Sequence, residues 1–73
     1  MNKEFTKEII QVANRIREIN KNNLLSLKQK KSRSEAQLYK LGDITLKYEM
    51  ELDGVEFDQL DALKELCWKN MNL

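Results

Sequence analysis

The sequence contains no histidine, no proline, one cysteine and two glycines. Each shortage excludes something. Without histidine, and with Cys67 as the sole thiol, the common zinc ligand sets and the histidine-based nucleophile pairs cannot be assembled. Gly42 and Gly54 stand alone, so there is no glycine-rich loop to cradle a phosphate. Enzymatic activity, a bound metal and a cofactor are therefore not expected. One cysteine cannot form an internal disulfide, which points to a reducing, cytoplasmic setting. The start, MNKEFTKEII, is amphipathic and does not read as a signal peptide. No stretch approaches the ~20 apolar residues of a membrane helix.

What is present favours helix. With 34% of its residues charged and no proline, a chain of 73 residues reads as one small helical domain, near the lower size limit for a self-sufficient core. The first segment, from Asn2 to about Leu27, places Phe5, Ile9, Val12, Ala13, Ile16, Ile19, Leu24 and Leu27 on one stripe at three- and four-residue steps. Asn20-Lys21-Asn22-Asn23 is its weak point, because asparagine side chains compete for backbone groups, and the helix is expected to end or kink there. The alternative is a helix that continues and carries Asn20 and Asn23 into an interface, where buried asparagines fix register.

A central helix is read over Ser34–Leu52. Leu38, Leu41, Ile44, Tyr48 and Leu52 form its main stripe, and Ala36, Tyr39, Leu46 and Met50 a weaker one on the opposite side. Such a helix would pack between neighbours. Ser32 with Glu35, and Ser34 with Gln37, each spell a capping box and predict the helix start. Lys28, Lys30, Lys31 and Arg33 then fall in the connection before it. Gly42-Asp43 interrupts the pattern, and Asp53-Gly54-Val55 reads as a helix C-terminus with Gly54 left-handed and Val55 folded back toward Met50. Asp58 is the expected cap of a third helix, with Phe57 just outside it, Asp61 in the first turn, and Leu60, Leu63, Leu66, Cys67 and Met71 as its buried stripe. Cys67 is accordingly expected to be a core residue.

The fold class is thus all-α, a small three-helix protein built as an antiparallel hairpin plus a C-terminal helix. The alternative is α+β with a β-hairpin at 43–57, because Ile44, Leu46, Tyr48, Met50 and Leu52 alternate with polar residues before the turn-forming Asp53-Gly54.

Charge is divided along the chain. Residues 1–41 hold ten Lys/Arg and four Asp/Glu, net +6, whereas residues 42–73 hold three and eight, net −5. Either the halves pair across the fold, or the first half offers a basic surface to an acidic partner. Lys28, Lys30, Lys31 and Arg33 are the anion or nucleic-acid candidates, although a solvated, charged turn is the commoner explanation of such a run. Glu49, Glu51, Asp53, Glu56, Asp58 and Asp61 lack the alternation and terminal Glu of a calcium loop and read as an acidic face. A helix-turn-helix around Gly54 is disfavoured by acidic residues where DNA would approach.

The expected function is non-enzymatic protein binding, as a regulator, inhibitor or adaptor that also forms a homo-oligomer. Tyr39, Leu46, Met50 and Trp68 are the protein-interface candidates, since they lie off the main stripes and include the aromatic and methionine types enriched at interfaces. The alternative is a nucleic-acid-binding regulator using the basic first half. No membrane partner is expected.

Overall fold

Helix α1 (Lys3–Lys21) ends within the asparagine run, after Asn20 and Lys21. The Asn22 N–H still donates to the Glu18 carbonyl at 3.0 Å, but the Asn22 side chain then accepts from the Leu24 N–H at 3.0 Å and turns the chain. This is the competition expected of asparagine. Asn20 and Asn23 are exposed, so neither enters a core. Leu24 and Leu27, counted in the apolar stripe of this segment, lie beyond the end of α1 and are exposed, because the turn removes them from its periodicity. The computed structural model describes residues 3–71; Asn2, the first residue of the expected helix, lies outside them.

The second helix, α2 (Leu27–Tyr48), begins earlier than the sequence predicts. Its N-cap is Ser26, in extended backbone conformation, and its capping box pairs Ser26 with Gln29. Once nucleated there, the helix propagates through Lys28–Arg33, all but Ser32 strong helix formers, so the two later boxes fall inside it. Ser34 and Gln37 are consequently buried interior residues, not caps. The basic run occupies the first two turns of α2 instead of a connection. Gly42 does not break the helix, which continues to Tyr48.

Residues 43–57 complete α2, turn, and start α3 (Gly54–Met71); no strand occurs among the described residues. The β-hairpin alternative is thereby set aside. Gly54 is not left-handed and does not end a helix: it is the first residue of α3. The cap is Asp53, whose Oδ1 accepts from the Glu56 N–H at 2.8 Å while the Asp53 N–H donates to Glu56 Oε1 at 3.2 Å. This reciprocal pairing outcompetes Asp58, which sits exposed inside α3, and Phe57, expected just outside the helix, is half-buried within it. Glu56 therefore leaves the acidic face and is buried. Val55 and Met50 are both exposed, and Val55 does not fold back.

The short connections and the 37 × 18 × 17 Å extents describe three roughly aligned helices running up, down and up. Phe5, Val12 and Ile16 of α1, Leu41, Ile44 and Tyr48 of α2, and Leu60 and Cys67 of α3 form the core, with Ile9, Leu38, Leu52, Phe57 and Leu63 packed against it. Each large apolar side chain buried there contributes about 1.5–3 kcal/mol. Phe5 and Tyr48 meet edge to face, with centroids 5.6 Å apart at 74°. Cys67 lies fully inside, as expected. Leu66, assigned to the buried stripe of α3, is instead 43% exposed, because Leu60 and Cys67 set the inward direction and Leu66 lies about 100° from Cys67.

The up-down-up course makes part of the charge division axial, although Lys3, Lys7 and Lys47 lie toward the acidic end. Lys21, Lys28, Lys30, Lys31 and Arg33 gather at the end carrying the α1–α2 connection, and Glu49, Glu51, Asp53 and Asp58 at the end carrying the α2–α3 connection.

Candidate functional site

Two surfaces of this bundle have the shape and chemistry of a contact site. The first is a groove of about 330 Å³ between α1 and α3, lined by Thr6, Ile9, Ile10 and Ala13 on one side and Gln59, Ala62 and Leu63 on the other. Ile10 is 53% exposed at its lip, and Leu66 and Val55 continue the apolar surface along α3. Its edges differ in charge. Helical spacing puts Lys3, Lys7, Arg17 and Lys21 on the outward stripe of α1 that carries Ile10, and Asp58 and Glu65 beside Ala62 on α3.

Sequence periodicity does not reveal this groove, because Ile10 falls off the apolar stripe of α1 and Leu66 falls on the stripe expected to be buried in α3. An exposed isoleucine on an otherwise basic stripe was the available signal.

The expected interface residues are all exposed, but they are not one patch. Tyr39, Leu46 and Met50 share the outward side of α2 and its C-terminal turn, whereas Trp68 is on α3. Of the second stripe of α2, Tyr39, Leu46 and Met50 thus face solvent, while Ala36 borders the gap toward α1. Asp43 lies among those three residues and divides the apolar surface.

The second surface is the basic end. Lys28, Lys31 and Arg33 are exposed and Lys30 is half-buried; at about 100° per residue the four point in different directions around the first turns of α2. None of the four pairs with a carboxylate among the described residues. The first turn of α2 has no acidic residue, so the positive end of its dipole adds to the lysines. Next to them, a cavity of about 270 Å³ opens between α1 and α2, with Arg15, Glu18 and Ile19 on one wall, Arg33, Ala36 and Gln37 on the other, and Asn22 and Leu25 from the connection. The Gln37 side chain is 9% exposed, and its Oε1 has no hydrogen-bond partner among the described residues.

Electrostatic coupling between α1 and α2 occurs at the opposite end. Lys47 Nζ lies 3.6 Å from Glu8 Oε2 and 5.3 Å from the Tyr48 ring centroid. The Glu8 charge holds the Lys47 ammonium above its ordinary pKa, and hydrogen bonding to Glu8, followed by burial, raises that of the Tyr48 phenol. Burial raises the Cys67 thiol, which favours the unreactive neutral form. Among the described residues no three His, Cys, Asp or Glu side chains gather as a metal site would require. No helix among them is long and apolar enough to cross a membrane.

Comparison with known proteins gave no significant match to any family model, curated protein or solved structure.

Proposed function

We propose that this chain is a non-enzymatic protein-binding module, a regulator, inhibitor or adaptor that works through helical surfaces and also associates with itself. The observation that carries this reading is the α1–α3 groove, where Ile10, Leu66 and Val55 remain exposed on a bundle whose other large apolar side chains on α1 are buried or half-buried. The occupant that fits is an amphipathic helix of another protein, laid along the groove with its apolar face down, as in helix-in-groove recognition. Charge complementarity fixes its edges: acidic toward Lys3, Lys7 and Arg17, basic toward Asp58 and Glu65.

The test is site-specific cross-linking in the native host. A photoreactive residue at position 10 or 66 is expected to capture a protein. Capture of nothing from either position, with nucleic acid captured from position 28 or 31, would favour the alternative of a nucleic-acid-binding regulator. That second reading draws on the basic turns of α2, which offer phosphate contacts but carry Tyr39 as their nearest aromatic, two turns away.

A further inference from the structure

The two ends of the bundle differ in charge, and they also differ in shape. At the basic end, the cavity between α1 and α2 has an apolar floor of Ile19 and Leu25 and a rim carrying Arg15 and Arg33, opposed by Glu18. Neither arginine pairs with a carboxylate among the described residues. At the acidic end, the turn between α2 and α3 presents Met50, 96% exposed, directly between Glu49 and Glu51. A methionine so placed gains nothing from its own fold.

We infer that the acidic turn of one copy docks into the basic cavity of a second, with Met50 on the apolar floor and the flanking glutamates against Arg15 and Arg33. This deepens the protein-binding reading, and rests on it, by naming a second copy as one partner. The fit has three independent parts. A dry cavity of ~150 Å³ already admits benzene, so about 270 Å³ has room for a methionine side chain. Methionine is unbranched and adapts to irregular cavities. The arginine forks match carboxylates, and the wider fields agree, since Lys21, Lys28 and Lys31 lie at the same end of the bundle as the cavity while Asp53 and Asp58 follow the turn. Gln37 supplies an amide on the cavity wall for a backbone group of the incoming turn.

Because the two docking surfaces are different, the contact is heterologous and repeats, giving chains or a closed ring instead of an isologous dimer. It leaves the α1–α3 groove open for another protein.

The experiment is sedimentation velocity on the purified full chain at low ionic strength. The mass is expected to rise with concentration above the monomer's 8.7 kDa and to fall back as salt screens the ends. Arg15→Glu/Arg33→Glu, which blocks the cavity, and Met50→Glu, which blocks the turn, should each weaken association by about tenfold or more. Circular dichroism checks that both remain folded. Mixed together, the two variants should form a heterodimer and nothing larger, since only one competent cavity and one competent turn remain. A monomeric wild type, association undiminished in either variant, or a mixture that stays monomeric would overturn the inference. Cross-linking from position 10 is independent of this outcome, so failure of the head-to-tail contact is distinguishable from failure of the protein-binding reading.

Discussion

Ser26 and Gln29 satisfy one another at the start of α2: the Ser26 N–H donates to Gln29 Oε1 at 2.9 Å, and the Gln29 N–H donates to Ser26 Oγ at 3.1 Å. Two donors left over at a helix end are thereby paired. Ser26→Ala should cost about 1 kcal/mol of stability. Ser32→Ala, at an exposed interior position, should be nearly neutral, and Ser34→Ala should be neutral or slightly stabilising, since its buried Oγ has no partner among the described residues. Urea unfolding of the three variants separates this start from one at residues 32–34.

Gly42 lies inside α2, and a Cβ built there meets nothing within 4 Å. Gly42→Ala is therefore expected to stabilise the protein by about 1 kcal/mol through better helix propensity. Thermal unfolding should register this as a rise in Tm of roughly 4–8 °C. An unchanged or lowered Tm would show that the glycine answers a contact or motion the monomer does not display.

These two sites show where the sequence was legible. The three helices, the stop at the asparagines and the inward residues Leu41, Ile44 and Leu60 follow from periodicity and side-chain competition. The boundaries did not, for a physical reason. Serine followed three residues later by Glu or Gln occurs at Ser26, Ser32 and Ser34, and local chemistry alone does not rank three adequate caps; cooperativity favours the one that adds a further turn and a half of helix. Asp53-Gly54 was ambiguous in the same way, since a glycine after an acidic residue serves as a C-terminus, a hairpin turn or a capped start. The exposure of Tyr39, Leu46, Met50 and Trp68 was legible residue by residue, from their places off the main stripes. The groove was not, because it takes two helices to make it.

Stability should fall on the alkaline side. Tyr48, Cys67 and Lys47 all have folded-state pKa values raised above their ordinary 10.0, 9.0 and 10.5. The fold thus binds protons more tightly than the unfolded chain, so this contribution is fully present below the unfolded values and is lost as pH rises through the folded ones. Denaturant midpoints should hold from neutrality to about pH 8.5 and then decline toward pH 11. In Tyr48→Phe, which keeps the edge contact with Phe5, the decline should be shallower. A midpoint that climbs with pH in this range would contradict the Glu8–Tyr48–Lys47 arrangement.

The central claim is that the apolar groove, and not the basic end, is the functional contact surface for another protein. The most direct measurement is a side-by-side affinity capture from the native host, with nuclease-treated and untreated arms, using the wild type, Ile10→Glu/Leu66→Glu and Lys28→Glu/Lys30→Glu/Lys31→Glu/Arg33→Glu. The expected result is a protein partner held by the wild type and by the basic-end variant, insensitive to nuclease, and lost from the groove variant while its helical circular dichroism is kept. Retention by the groove variant, with loss of nuclease-sensitive material from the basic-end variant, would contradict it.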